Sequence, residues 1–264
     1  MSEVIFPSVN LQLNINKIAF QIFEVEIYWY AIFIIFAIMV GVIFSKLDNG
    51  KYNIKFDTVL ELLLFVIPIS IVCARLYYVI FNLPYYTQNP MEILNLRDGG
   101  LAIYGGIIGG IAVIYVYGKI RKIRFLNLTD YIVPYLALGQ AIGRWGNFFN
   151  VEAYGIQTNS IFRMGIIESE KYIEVHPTFL YESVCNFIIF IILYLLRNKR
   201  KYKGQITYIY LTLYGLIRFI IEGLRIDSLM MGMFRVSQVL SITLFFIFGI
   251  ILIYKRVEKP GNEK

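Results

Sequence analysis

One short stretch of the chain, residues 143–155, combines charged, amide and glycine residues in a pattern that could do chemistry. It reads Gly-Arg-Trp-Gly-Asn-Phe-Phe-Asn-Val-Glu-Ala-Tyr-Gly and follows an apolar run. Arginine and glutamate are costly at membrane depth, so a function is the default explanation for Arg144 and Glu152. A simpler alternative is that Arg144 reaches the headgroups while the glycines end a helix. That alternative does not explain Asn147 and Asn150, because irregular backbone at that depth needs a polar cavity.

A second candidate group shares one face of a predicted helix near residue 220. Tyr214, Arg218, Glu222 and Arg225 are spaced by four, four and three residues, which places them on one side of a helix. The simplest alternative is an ion pair between Arg218 and Glu222. Two arginines that face a cavity also make an anion clamp, because a guanidinium can hold a phosphate through two parallel hydrogen bonds. Glu182, in the first turns of the preceding helix, could pair with an arginine.

Single polar residues elsewhere complete the candidate set. Arg75 needs an anionic partner, for which either a carboxylate or a lipid phosphate would serve. Tyr30 could point inward as a hydroxyl donor, and Tyr104 carries a reactive group beside glycine pairs that favour close helix packing. His176 is the only histidine, and we expect it to be a structural donor that orients the cavity. Gln238 lies near the outer start of the last predicted helix.

The composition places these residues in a membrane protein. Of 264 residues, 58% are hydrophobic and 16% are charged, and the mean hydropathy is +0.64. The hydrophobic fraction is higher, and the charged fraction lower, than in a typical soluble domain. An apolar run needs about 20 residues to cross a bilayer, and seven runs qualify: 27–45, 58–81, 100–118, 127–146, 177–196, 205–223 and 236–254. We therefore expect an all-α, polytopic membrane protein with a single transmembrane domain over residues 1–264.

The segments that flank these runs are expected to lie outside the bilayer core. The first 26 residues contain a patterned stretch from Leu11 to Phe23, which indicates an outer amphipathic segment lying on the membrane. The last residues, 255–264, form a basic tail. The fourth run is the weakest of the seven, because polar residues and a proline interrupt it.

The distribution of lysine and arginine predicts the orientation. Loops 46–57, 119–126 and 197–204 and the tail are rich in basic residues and alternate with the other connections. Because basic loops remain in the cytoplasm, the N-terminus should be outside and the C-terminus cytoplasmic. The net charge of +7 is then a topology signal, and no nucleic-acid-binding module accompanies it. The two cysteines lie in apolar runs without metal or redox spacing.

This topology brings candidate residues from seven helices or their ends to the outer half of the membrane. It predicts one polar cavity that opens to the outer leaflet and suits an anionic phospholipid. A lipid transporter could also collect arginines, but we would expect midplane sites and inverted repeats. A structural membrane protein would leave the polar residues without a role. A membrane protease would need a serine–histidine pair, for which no motif is present.

The same residues carry a resemblance to a known family. They are the pattern G-R-x-G-N-F-x-N-x-E-x-x-G at 143–155, Trp29-Tyr30, Arg75, the paired glycines at 105–110, the run His176-Pro-x-x-x-Tyr-Glu, and the face formed by Tyr214, Arg218, Glu222 and Arg225. With these residues the chain resembles bacterial prolipoprotein diacylglyceryl transferase over nearly its whole length. A related lipid-headgroup transferase is the main alternative, because an anion clamp alone does not define the acceptor.

The resemblance implies a multi-pass enzyme of the bacterial plasma membrane. It would move the diacylglyceryl group of phosphatidylglycerol to the lipobox cysteine thiol of a preprolipoprotein, forming a thioether and releasing glycerol phosphate. Its partners would be phosphatidylglycerol, the preprolipoprotein signal peptide and membrane lipid, with no nucleic acid. The nucleophile belongs to the substrate, and the resemblance implies neither a metal nor a cofactor.

The resemblance also implies site roles. The residues expected in catalysis are Arg144, Arg218, Glu152, Glu222, Tyr104 and Tyr30. Those expected to bind substrate are Arg144, Asn147, Asn150, Gly155, Arg75, His176, Tyr214, Arg225 and Gln238. We expect Arg144 and Arg218 to hold the phosphate and polarise its departure, while Glu152 or Glu222 orients these arginines or accepts the thiol proton.

One position departs from the family. Where the family often has a histidine, a proposed base, this chain has Tyr104. A neutral tyrosine with a pKa near 10 is a poor base at neutral pH. Either another group is the base, or none is needed beyond a lowered pKa of the substrate thiol beside the arginines.

Overall fold

Helices dominate the computed structural model, which describes residues 2–96, 99–168 and 171–257. About 67% of it is helical. The helices are α1 (Trp29–Leu47), α2 (Phe56–Phe81), α3 (Leu83–Gln88), α4 (Ile103–Ile120), α5 (Phe125–Asn150), α6 (Thr178–Leu196), α7 (Gln205–Glu222) and α8 (Val236–Val257). Short 3-10 turns cover Pro7–Val9, Lys51–Asn53, Pro90–Leu94 and Arg197–Lys199. The strands are β1 (Ser2–Phe6), β2 (Leu11–Ile15), β3 (Ile18–Ile22), β4 (Val25–Tyr28), β5 (Met164–Glu168), β6 (Lys171–Val175), β7 (Met230–Met231) and β8 (Phe234–Arg235).

The apolar runs found in the sequence all form helices. Among the described residues, five helices are long and apolar enough to cross a membrane: α1, α2, α4, α6 extended to Lys199, and α8 up to Arg256. The two other long helices, α5 and α7, carry the candidate polar residues, and those side chains lower their hydropathy. The chain is therefore a polytopic membrane protein, whereas the count of seven spans stays a prediction.

The expectation of an all-α fold is wrong. An antiparallel four-stranded sheet, in the order β2-β1-β5-β6, joins the N-terminal segment to the connection after α5. Val4 pairs with Leu13 on one side and Ile166 on the other. The amphipathic segment expected at 1–26 forms strands because apolar and polar residues alternate over Leu11–Ile15 with a period of two. Two hairpins, β3–β4 and β7–β8, each end next to a helix, α1 and α8 respectively.

Contacts group the chain into two compact units. The first unit comprises residues 1–44 and 132–264, and the second comprises residues 45–131. The single domain expected over the whole chain stays a prediction. Of the basic tail expected at 255–264, residues 258–264 lie outside the described residues.

Two buried apolar clusters organise the first unit. One packs α5, α6 and α7 together around Ala137, Leu193 and Ile206. The other joins the sheet to the end of α5 and the start of α6, where Phe148 and Phe179 lie with ring centroids 4.8 Å apart. Together the clusters hold α5, α6 and α7 against one another and fix the C-terminal end of α5 and the N-terminal end of α6.

In the second unit, α2 packs closely against α4. A Cβ atom on Gly105 would lie 2.4 Å from the carbonyl oxygen of Cys73, and one on Gly109 would lie 2.7 Å from the Cys73 Cβ. No side chain fits at these two positions, which confirms the close helix packing predicted from the paired glycines.

Candidate active site

A single buried carboxylate, that of Glu182 in α6, joins three arginines. Its Oε2 atom lies 2.5 Å from Arg144 Nη2, and its Oε1 atom lies 2.7 Å from Arg218 Nη1 and 3.4 Å from Arg225 Nη1. The Glu182 side chain is 3% exposed. We call these four residues the arginine cluster. The single negative charge of Glu182 is therefore shared among three guanidinium groups.

Three segments of the first unit supply the arginines. Arg144 lies in the last two turns of α5, Arg218 in the last turns of α7, and Arg225 three residues beyond that helix. The apolar packing of α5, α6 and α7 brings these segments together. The arginine side chains are only 22%, 16% and 11% exposed, respectively. Interactions with anions are strong at such sites, because little water screens them.

Further carboxylates surround the arginine cluster. Glu222, one turn after Arg218, has Oε2 at 2.6 Å from Arg218 Nη2, a charge contact without hydrogen-bond geometry. Asp227 accepts hydrogen bonds from Arg225 Nε at 2.8 Å and Nη2 at 2.6 Å. These bonds hold the pKa of Asp227 below its usual value. Arg235 donates to the backbone carbonyl of Glu222. Both the side chain and the backbone of the last residue of α7 are therefore held by arginines.

The motif at 143–155 adds an amide network to the cluster. Arg144 Nη1 donates to Asn147 Oδ1 at 3.3 Å, and Asn147 Nδ2 donates to Glu152 Oε1 at 2.7 Å. Asn150 Nδ2 donates to the same Glu152 oxygen at 3.2 Å. Glu152 therefore orients Arg144 only through Asn147. The buried Asn150 Oδ1 has no hydrogen-bond partner within the described residues.

The backbone of this motif differs from the expectation. α5 continues to Asn150, so Asn147 and Asn150 are helical and irregular backbone begins only at Val151. Val151 and Ala153 have φ values of 51° and 58°, in the left-handed region that side chains rarely adopt. The predicted end near residue 146 was too early, because the packing of Phe148 in the core extends the helix past Gly143 and Gly146.

Gly155 and His176 tie the motif to the neighbouring helix ends. Gly155 N–H donates to His176 O at 2.9 Å, and the next N–H, of Ile156, donates to Leu224 O at 2.7 Å. A Cβ atom on Gly155 would lie 2.8 Å from the His176 Cβ, so only glycine fits. His176 Nδ1 is 3.1 Å from Tyr181 Oη, which agrees with the structural role expected for this histidine. Binding of substrate by Gly155 or His176 stays a prediction.

Three further candidates belong to the same unit. The ring of Tyr30 packs on Gly146, where a Cβ atom would lie 2.6 Å from Tyr30 Cδ2, and Tyr30 is 39% exposed. Tyr214 stacks on Tyr210 at 5.5 Å and interacts electrostatically with the cluster arginines. Gln238 donates from Nε2 to the carbonyl of Phe219 in α7 at 3.1 Å, which steadies that helix.

Arg75 and Tyr104 belong to the second unit. The Arg75 guanidinium donates to four backbone carbonyls, those of Ile93 at 3.0 Å, Gly99 at 2.8 Å, Gly100 at 3.0 Å and Glu92 at 2.5 Å. These contacts favour a role in holding the backbone at residues 92–93 and 99–100 over a role in holding a phosphate. Tyr104 lies in the first turn of α4. A single cavity shared by all the candidate residues stays a prediction.

Sequence reasoning did not assign Glu182 or Asp227 to the site. Glu182 was noted only as a possible ion-pair partner, and the structure makes it the centre of the arginine cluster. The available signal was an excess of arginines over carboxylates among the candidates, which calls for a buried anion. Asp227 follows Arg225 by two residues, a spacing that gives no helical signal.

Comparison with known proteins agrees with the geometry. A family model described as prolipoprotein diacylglyceryl transferase matches residues 17–254. Proteins named phosphatidylglycerol–prolipoprotein diacylglyceryl transferase are similar over most of the chain. The one from Finegoldia magna is 47% identical over 252 residues, 94% of this chain and 100% of the relative. The one from Clostridium novyi is 48% identical over 246 residues, 91% of this chain and 95% of the relative.

Proposed function

The chain belongs to the prolipoprotein diacylglyceryl transferase family, and we propose that the arginine cluster is the site where it works. It is a multi-pass membrane transferase that moves a diacylglyceryl group from phosphatidylglycerol to a prolipoprotein. The finer assignments are proposals. The acceptor is the lipobox cysteine thiol, the enzyme lies in the bacterial plasma membrane, and seven helices cross it with the N-terminus outside and the C-terminus in the cytoplasm.

The reaction that we propose is a displacement at carbon. The cysteine sulfur bonds to the glyceryl carbon that carries the phosphate, and the bond between that carbon and the phosphate oxygen breaks. The electron pair leaves with the phosphate, so glycerol phosphate departs with one more negative charge than the lipid headgroup had. The thiol proton must go to a base. Catalysis therefore needs a site that stabilises the phosphate more strongly in the transition state, where negative charge develops on it, than in the bound lipid.

The observation that carries the proposal is the shared carboxylate of Glu182. Arg144 and Arg218 hold the phosphate, and Arg225 adds positive charge beside it. Guanidinium groups already gathered within reach of one anion need little reorganisation to stabilise another. They hold a phosphate bidentately, and the low exposure of their side chains strengthens that attraction.

Glu182 acts through the arginines as a positioning residue. Its two oxygens contact all three guanidinium groups and keep three like charges together before lipid arrives. Glu222 orients Arg218 from the opposite side. Removing one partner of such a buried arrangement leaves charge uncompensated, which typically costs about 3–5 kcal/mol.

Of the two carboxylates expected to accept the thiol proton, the contacts favour Glu152. Glu222 faces Arg218 at 2.6 Å, so its charge is already engaged. Glu152 accepts only from the neutral amides of Asn147 and Asn150 among the described residues. The unfilled Asn150 Oδ1 accepts a hydroxyl of the glycerol headgroup.

The other candidates keep supporting roles in this proposal. Tyr30 provides a hydroxyl donor at the site, and a role of the Tyr104 hydroxyl in the transfer reaction is left to substitution to test. Tyr214 lines the cluster from α7, and Gln238 fixes the end of that helix. His176 orients the segment that contains Gly155.

Mass spectrometry tests the proposed reaction directly. The purified protein is incubated with phosphatidylglycerol and a lipobox peptide, and the mass of the peptide is measured. We expect a diacylglyceryl group on the cysteine and release of glycerol phosphate, and no adduct when that cysteine is replaced by serine. Modification of the serine peptide, or of another residue of the cysteine peptide, would contradict the assignment of the thiol.

A further inference from the structure

A concentration of positive charge lies in the turn between α4 and α5, and the transfer reaction gives it no role beyond its contribution to membrane orientation. Lys119, Lys122 and Arg124 line a cleft of about 270 Å³. Tyr115 and Phe125 form the aromatic part of its wall, with ring centroids 5.9 Å apart. The whole cleft belongs to the second unit.

The positive charges of this cleft are not compensated by neighbouring carboxylates. A fourth basic residue of the turn, Arg121, pairs with Glu61. No carboxylate contacts Lys119, Lys122 or Arg124 within residues 2–96, 99–168 and 171–257. Lys119 Nζ instead lies 4.7 Å from the centre of the Tyr115 ring. Three basic residues therefore line one small cleft, and no carboxylate among the described residues pairs with them.

One residue of the turn, Lys122, has a backbone conformation that glycine would adopt more easily. Lys122 has a φ of 55° at the left-handed position that ends α4, and glycine is the usual residue there. The turn is closed by a hydrogen bond of 2.8 Å from Ile123 N–H to Gly118 O. The first turn of α5 begins at Phe125, and the free N–H groups of a helix start favour an anion.

We propose that this cleft binds the phosphate of an anionic phospholipid headgroup, at a site separate from the arginine cluster. The three cations hold the phosphate, and the rings of Tyr115 and Phe125 contact the glycerol and the first carbons of the chains. The proposed topology places this turn in the cytoplasm, so the lipid comes from the inner leaflet, whose anionic surface attracts such basic segments. Free phosphate shares this chemistry and is the alternative source.

Native mass spectrometry of the full chain in detergent, titrated with phosphatidic acid, tests the proposal. The test variant combines Lys119→Gln, Lys122→Gln and Arg124→Gln. The matched control combines Lys199→Gln, Lys201→Gln and Lys203→Gln, which removes the same charge from another basic turn. Each cation near an anionic surface contributes about fivefold to binding. We expect the test variant to bind one tight lipid fewer, with affinity at this site about a hundredfold lower, and the control to match wild type.

A single substitution separates binding from structure. Lys122→Gly relieves the left-handed backbone and removes one cation. We expect an unchanged or higher Tm together with about fivefold weaker binding of phosphatidic acid. Equal lipid binding by wild type and both Lys122→Gly and the triple variant would overturn the site. Binding of inorganic phosphate without phosphatidic acid would overturn the lipid as its ligand.

Discussion

Each unit contains an arginine that is largely shielded from solvent, and the two arginines have different kinds of partner. In the first unit, Arg218 contacts the carboxylates of Glu182 and Glu222. In the second unit, Arg75 donates to four backbone carbonyls, those of residues 92, 93, 99 and 100. Carboxylates and phosphate are interchangeable anions for a guanidinium. A phosphate cannot take the place of the neutral carbonyls bound to Arg75, because moving the Arg75 side chain would leave those carbonyls without a hydrogen-bond donor. The identity of the partner therefore separates an arginine that can hold a substrate from one that holds a loop.

The largest expected effect is that of Arg218→Ala. Removing one donor that stabilises a leaving anion typically lowers the rate about a hundredfold to a thousandfold, and Arg218 provides two. We expect transfer to a lipobox peptide to fall by at least this factor while the folded protein accumulates in the membrane. Arg121→Ala, which removes an exposed arginine paired with Glu61, is the matched control and should keep its activity. Wild-type turnover in Arg218→Ala would show that the phosphate does not bind at this site.

Glu182→Gln should have the next largest effect and sharpens the comparison. It keeps the shape of the side chain but leaves three guanidinium groups without their shared charge, so stability should fall by about 3–5 kcal/mol and the rate by about tenfold or more. Because a phosphate can replace the missing carboxylate, phosphatidylglycerol should raise the Tm of Glu182→Gln more than that of wild type. An equal rise in Tm for both proteins would show that Glu182 and the phosphate do not share the arginines.

Tyr104→Phe should cause a partial loss, of about tenfold or less. The substitution removes one hydroxyl donor and leaves the ring, and a neutral hydrogen bond contributes about 0.5–1.5 kcal/mol. Tyr30→Phe, measured with the same peptide, is the matched comparison. Complete loss in Tyr104→Phe alone would mean that this hydroxyl takes part in proton transfer.

The smallest effect on transfer is expected for Arg75→Gln. This change removes several hydrogen bonds from a charged donor to the backbone at residues 92–93 and 99–100, and each contributes about 1.5–3 kcal/mol. The Tm should therefore fall clearly. The activity for each folded molecule should stay within about threefold of wild type, as measured after correcting for folded protein by size-exclusion chromatography.

The seven long helices could be predicted from the sequence because each coincides with an apolar run, and five of them are long and apolar enough to cross a membrane. The sheet was missed because a short alternating stretch such as Leu11–Ile15 becomes a strand only when it is paired. Here it pairs with the nearby β1, which in turn pairs with the distant β5. Residue types and spacing also identified Arg144, Arg218 and Arg225. Spacing alone could not show that Glu182 joins all three, since they come from separate segments. Nor could spacing show that backbone carbonyls accept the hydrogen bonds of Arg75, because every residue has a backbone carbonyl, whatever its type.

The most direct test of the account compares Arg218→Ala with Arg75→Gln in one experiment. The rate of diacylglyceryl transfer for each folded molecule and the Tm are measured for both variants beside wild type. The account predicts that Arg218→Ala loses about a hundredfold or more of its rate, and that Arg75→Gln loses Tm but keeps its rate. If Arg75→Gln lost the rate at full Tm while Arg218→Ala kept it, the phosphate site would lie at Arg75 and the account would be wrong.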